Sequence, residues 1–198
     1  MPKKRLPAEE RKKQILKCAV KVFAQTNYQS ARVADIASEA GISEAAVYRH
    51  FPSKNAIYLD VLSHMSSRIL IFWQEEIDKE PDSYKALRNM GLTYFRRMRR
   101  HPGELKIQFQ AIAEVGNPEI AKRLHQDHQN YMDLIQKVIK RGIREGHFRK
   151  DVDAGVLSWL FNGVGILMNM MNLLSFGDKF SEKTVTKIID HLLESIKA

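Results

Sequence analysis

With 198 residues, 44% of them apolar, the chain carries enough hydrophobic material for a real core, which excludes intrinsic disorder as its organising state. Its single cysteine excludes an internal disulfide, so the core has to hold without covalent staples. The formal charge of +9 is uneven: residues 1–54 hold eleven Lys/Arg against five Asp/Glu (+6), the other 144 hold 21 against 18 (+3), and a polyanion partner is expected for the basic end, nucleic acid or an anionic membrane surface.

Helical periodicity runs through nearly the whole sequence, and no strand-like alternation persists for more than a few residues. The opening segment MPKKRLPAEERKKQ is followed by no long apolar run and reads as no signal peptide. A first helix is expected from about Ala8 to Thr26, with Ile15, Cys18, Ala19, Val22 and Phe23 as its buried stripe. It ends at Asn27, a residue that tolerates the left-handed conformation. Two short helices follow at about 33–40 and 44–50, separated by Gly41-Ile42-Ser43. Ser53 is placed to cap a long helix that stops before Pro81, and a fifth spans about 83–100. Pro102 and Pro118 each stand at a first helical position, where the missing N–H costs nothing, and open a sixth helix and a seventh that closes at Gly146. Asp153 caps an eighth reaching about Leu174, and Ser181 caps a ninth reaching the C-terminus. The eighth helix, VLSWLFNGVGILMNMMNLL, comes close to membrane-spanning length. Its three Asn and two Gly, deep inside a helical chain, favour a buried helix–helix interface instead.

The stretch VADIASEAGISEAAVYRHF fits a helix-turn-helix. Gly41 permits the tight turn, while Ile36, Ala37, Ile42 and Val47 are spaced to pack the two helices together. A helix that enters a major groove needs small residues at its start and hydrogen-bonding groups on its outer face. Ala45 and Ala46 meet the first need and can touch thymine methyls; Tyr48, Arg49 and His50 meet the second. Lys54, in the first turn of the following helix, is placed near a phosphate.

The segment ARVADIASEAGISEAAVYRHFPSKNAIYLDVL resembles the N-terminal domain of TetR-family transcriptional regulators, over residues 8 to about 62. Chain length and helix count are similar to the whole family as well. The resemblance implies an all-α fold of about nine helices: a three-helix DNA-binding head (1–53), then a larger helical body (54–198) that binds effector and forms the dimer. It also implies that Ser43 caps the recognition helix, that Tyr48 contacts the DNA backbone, that Ala45 and Ala46 stand at base-contact positions, that His50 lies near the groove edge, and that Lys54 grips a phosphate. Where relatives often carry Thr-Thr, this chain has Ala31-Arg32, which removes a capping hydroxyl and leaves Arg32 to reach the phosphate. The basic arm KKRLPAEERKK either tracks a flanking minor groove or is a solvated tail.

In the body, Leu160, Gly163, Leu167, Met168 and Met171 of the eighth helix, with Ile188, Ile189 and Leu192 of the ninth, are expected at a homodimer seam, where the resemblance also places it. Long apolar residues among the middle helices are candidates to line a site for a hydrophobic effector: Met65, Ile69, Phe72, Trp73, Phe95, Met98, Phe109, Ile112, Tyr131 and Trp159. His125 and His128 have a spacing that metal sites use, yet no Cys or clear carboxylate partner accompanies them, and no metal or cofactor is expected. No nucleophile triad, phosphate-cradling loop or paired-carboxylate motif points to an enzyme. The expectation is a cytoplasmic, dimeric, one-component regulator, a repressor released from DNA by a small hydrophobic molecule. Two alternatives stay open: a DNA-binding protein of the same fold whose body recruits another protein, and a ligand carrier that does not bind DNA.

Overall fold

The helices begin and end where local chemistry allows. In the computed structural model, which describes residues 6–198 apart from the side chain of Asp178, they are α1 (Ala8–Gln25), α2 (Val33–Ala40), α3 (Glu44–Tyr48), α4 (Lys54–Lys79), α5 (Ser83–Arg100), α6 (Pro102–Ala113), α7 (Pro118–Glu145), α8 (Ala154–Leu173) and α9 (Glu182–Glu194). Ser53 Oγ accepts from Ala56 N at 3.0 Å, Asp82 from Tyr84 N and Lys85 N, Asn117 from Glu119 N and Ile120 N, Asp153 from Gly155 N and Val156 N, and Ser181 from Thr184 N, so α4, α5, α7, α8 and α9 each start on a side-chain cap. Gly41, at φ 65°, closes α2: its N–H reaches Ser38 O and that of Ile42 reaches Ala37 O, a left-handed ending that a side chain would strain. The chain is all-α among the described residues, with one isolated bridge between Phe148 and Lys197.

Three local expectations are corrected. Asn27 is not left-handed; its Oδ1 accepts from Ser30 N at 2.8 Å and turns the chain through its side chain. α3 stops at Tyr48, two residues early, because the Pro52 ring disfavours helix at the residue before it and the chain is already turning at Arg49 and His50. α9 stops at Glu194, after which Arg149 N donates to Ile196 O and Ala198 N to His147 O. A 3-10 turn at Gly177–Phe180, not anticipated from the sequence, precedes α9.

The chain divides into two compact units. The first holds residues up to Met65 together with Lys106–Leu124; the second holds Ser66–Leu105 and His125–Ala198. In the first, α1 buries the stripe read from its sequence against Ile36 and Ala37 of α2, Val47 of α3, Ile57, Tyr58 and Val61 of α4, and Ile107, Ala111 and Ile120. Phe23 and Tyr28 flank Tyr58, with ring centroids 4.9 and 4.7 Å away. In the second unit, α5 and α9 are joined by Leu87, Met90, Phe95, Ile189 and Leu193 in the core, and by a two-bond Arg88–Asp190 ion pair and an Arg96–Glu182 pair. A Cβ on Gly142 would collide with the Phe148 ring, so this glycine is what lets the loop after α7 fold back onto the helix.

Candidate functional site

Within the first unit, Val47 decides which way α3 faces. It is fully buried among α1 and α2 side chains, and a five-residue helix anchored at one point presents everything else outward. Ser43 Oγ accepts from Ala46 N at 3.2 Å and fixes the start of the helix. Ala45, Tyr48 and Arg49 are exposed, and Ala46 and His50 half-exposed. The side chains of Tyr48, at 47% exposure, and Arg49 make no hydrogen bond or ion pair among the described residues, so their polar groups are open to solvent. Ala45, Tyr48 and Arg49 are thus open to solvent, and Ala46, Arg49 and His50 line one groove.

A shallow groove of about 180 Å³ adds a residue that the sequence reading did not name. It is lined by Leu6, Ala8, Arg11, Ile42, Ala46, Arg49 and His50, which puts the Arg11 guanidinium beside α3. Arg11 is positioned by Gln14, whose Oε1 accepts from it at 2.7 Å while Nε2 donates to Ala40 O at 3.0 Å. Arg11 is half-buried one turn before Ile15, at the N-terminal end of the buried stripe of α1, and no pattern in the sequence marks it for this groove. Of the basic arm, Lys3, Lys4 and Arg5 lie outside the described residues.

Two cations are engaged within the protein. Arg32 is gripped by Asp35 through bonds of 3.1 and 2.8 Å, which hold that carboxyl below the usual carboxylate range. Asp35 also accepts from Arg32 N at 3.3 Å, and so it caps α2 in place of the absent hydroxyl. Lys54 differs more from expectation. Its Nζ donates to the carbonyls of Tyr28, Gln29 and Ala31 at 2.8, 3.0 and 3.0 Å, and stands 4.8 Å over the Tyr28 ring. An ammonium has three donors and here all three are used, so the side chain holds the α1–α2 loop to the start of α4 and is not extended toward a phosphate.

The effector candidates separate. Ile69, Trp73, Phe95, Met98 and Tyr131 are buried in the second unit and Phe72 is half-buried there. Met65 belongs to the core of the first unit, where Phe109 is half-buried and Ile112 exposed. Trp159 is 67% exposed and lines no interior space of the chain. What the sequence did not reveal is a polar thread among the rings. Trp73 lies 5.8 Å from Tyr94 and 5.6 Å from Tyr131, His128 lies 5.7 Å from Tyr131, and Asn169 Nδ2 donates to Tyr94 Oη at 2.6 Å. Burial pushes the Tyr94 hydroxyl up to about 12. Ser66 Oγ, Trp73 Nε1 and Asn169 Oδ1 are buried without a protein partner, and such groups are costly to leave unmade in an apolar interior.

Burial lowers the pKa of His128 below 6.5, with Asp127 opposing to a smaller degree. The folded chain then refuses a proton that the unfolded chain accepts, and stability is lost as pH falls from about 6.5 through the folded value. His128→Phe is expected to flatten that loss, read as melting temperatures of both proteins at about pH 7.5 and pH 5. His125 is exposed, and among the described residues no three His, Cys, Asp or Glu side chains gather as a metal site.

The dimer candidates are also redistributed. Met168 and Ile189 are 1% exposed and belong to the core of the second unit, where Ile189 lies against Gly91 of α5. Met171, Ile188 and Leu192 are half-buried, and Gly163, Leu160 and Leu167 exposed. The exposed apolar side chains of α8 recur as Val156, Trp159, Leu160, Ile166, Leu167 and Met170 with Gly163 between them, a continuous helical stripe to which Trp159 belongs. By length and composition α8 could cross a membrane, with 33% of its apolar window buried.

A short, outward-facing α3 joined to α2 by a glycine turn defines a helix-turn-helix protein. Residues 15–61 match the family of bacterial regulatory proteins of the tetR type, and residues 84–188 match the tetracyclin repressor-like C-terminal domain. The chain belongs to the TetR family of DNA-binding transcriptional regulators. It is 26% identical over 151 residues to the transcriptional repressor KstR2 of Mycobacterium tuberculosis, covering 74% of each chain. It is 27% identical over 162 residues to the nucleoid occlusion factor SlmA of Shewanella pealeana, covering 80% of each. The solved structure of the regulator FadR from Bacillus subtilis, in complex with stearoyl-CoA, superposes with a TM-score of 0.72 at 18% identity, over 92% of this chain and 95% of that one.

Proposed function

We propose that the protein is a cytoplasmic homodimeric repressor that inserts α3 of each subunit into successive major grooves of a near-palindromic operator and is released by a hydrophobic effector bound in the second unit. The observation that carries the DNA half is the free polar face of α3: Tyr48 and Arg49 exposed and unpartnered beside a groove that adds Arg11 and His50. The effector half is supported by three buried polar atoms of the second unit without a partner among the described residues, Ser66 Oγ, Trp73 Nε1 and Asn169 Oδ1, with Trp73 packed against Tyr94 and Tyr131. α4, α6 and α7 each contribute residues to both units, so they are the natural carriers of any coupling between effector and head. A ligand shifts that balance only by its differential affinity for the two states. KstR2 is a repressor and FadR was solved with stearoyl-CoA, in keeping with this reading.

The test is selection of DNA sites from a random pool, followed by anisotropy titrations on the winner. A two-fold symmetric site is expected, with affinity falling steeply with salt because phosphate contacts dominate. Tyr48→Ala is expected to weaken binding by about 10-fold, roughly 1.4 kcal/mol, on operator and random DNA alike, as loss of a backbone contact should. An asymmetric selected site, or indifference to Tyr48→Ala, would sink this reading. SlmA carries another role on similar sequence, and a body that recruits a protein partner would show itself as operator binding that no small molecule releases.

A further inference from the structure

α5 ends in Arg96-Arg97-Met98-Arg99-Arg100, four cations in five residues. Arg96 is held by Glu182, and Arg97 donates Nη2 to Glu104 at 3.3 Å while its Nε is buried with no partner. Arg99 stands 5.7 Å over the Phe95 ring and, like Arg100, has no ion pair among the described residues. Beside this cluster the second unit has a cleft of about 240 Å³. Its walls are apolar on one part, with Met98, Leu105, Met171 and Phe180, and polar on another, with Arg99 and Asn172. Asn172 Nδ2 is buried there and donates to no group among the described residues.

We propose that this cleft binds the head of an anionic amphiphile, a fatty carboxylate or the thioester end and phosphates of an acyl-CoA, with Arg99 facing the negative charge and Asn172 donating to its oxygen. The inference deepens the effector reading above and rests on it. Charge complementarity selects the class: among the described residues Arg99 of the cleft wall has no carboxylate partner and the buried Asn172 Nδ2 has no acceptor, and the adjoining wall of methionine, leucine and phenylalanine suits an alkyl chain. At about 240 Å³ the cleft falls below the 300 Å³ or so of a typical pocket for a whole drug-sized molecule, so it takes the head and first carbons, not an entire long chain. Asn172 stands one helical turn from Asn169, the residue bonded to Tyr94 in the aromatic interior.

The experiment is calorimetric titration of the full chain with decanoate, decanoyl-CoA and decanol, in wild type, Arg99→Gln and Asn172→Leu, each first shown to melt like wild type. Decanoate, decanoyl-CoA or both are expected to bind at least tenfold tighter than decanol, and to lose that advantage in both variants. Binding of decanoate alone identifies a free carboxylate as the source; binding of decanoyl-CoA alone identifies the acyl thioester. If Arg99→Gln and Asn172→Leu bind the anions as tightly as wild type, the cleft is overturned, even when the same ligand releases operator from both. If none of the three ligands gives heat, it is overturned too, and operator binding by the same samples then leaves the DNA half of the regulator reading standing.

Discussion

Leu160→Glu is expected to turn the protein into monomers on analytical ultracentrifugation while leaving its far-UV circular dichroism unchanged. Leu160 is 54% exposed at the middle of the α8 stripe, so a carboxylate there meets solvent in the isolated chain and disturbs no core contact. In a two-fold seam the same position approaches its own copy, and two carboxylates facing each other in an apolar interface are costly on both desolvation and repulsion. The consequence for DNA is larger than for stability. Two linked heads bind as one bivalent ligand, and unlinking them removes an avidity gain of about 10²–10⁴. Operator affinity is therefore expected to fall at least about 100-fold, with affinity for random DNA far less changed. Met168→Glu provides the contrast. That residue is buried in the second unit, so its substitution should unfold the protein before any seam is tested. A Leu160→Glu protein that remains dimeric would move the seam off α8.

The pair Leu160 and Met168 shows where sequence reasoning reached its limit. Helix boundaries were legible because their causes are local: Ser53, Asp153 and Ser181 accept from N–H groups two or three residues on, and the prolines at 102 and 118 need no partner at all. The amphipathic α1 was legible for the same reason, having one apolar stripe and one charged face. α8 is apolar around most of its circumference, so periodicity cannot tell the side that faces α5 from the side that faces outward. Met168 and Ile189 therefore went to the seam and Trp159 to the interior, each to the wrong side. The polar thread was hidden differently: Tyr94 and Asn169 are 75 positions apart, and no pattern in either neighbourhood announces the other. In the head, exposed α3 positions followed from the motif, whereas the partners of Lys54 did not, because they lie 23 to 26 residues away in a loop.

That contact leads to the second large effect. Lys54→Met is expected to lower the melting temperature by about 5–10 °C, on the scale of roughly 2–3 kcal/mol for a chain of this size. Methionine keeps most of the length and apolar contact of the stem but removes all three donors, leaving the carbonyls of Tyr28 and Ala31 part-buried without their partner and that of Gln29 to solvent. It also removes the cation from over Tyr28, whose ring packs on Tyr58 in the core of the first unit. Tyr48→Ala should do the opposite: an exposed, unpartnered side chain is lost, so DNA binding weakens while the melting temperature stays put. The two variants thus separate a residue that builds the head from one that the head presents. Lys54→Arg sharpens the distinction, since it keeps the charge but replaces a compact three-donor ammonium with a planar fork that cannot reach three converging carbonyls in the same geometry. A residue whose task is to supply charge to a phosphate would tolerate that change with DNA affinity near wild type and no loss of stability. A clamp does not, and Lys54→Arg is expected to melt nearer to Lys54→Met than to wild type.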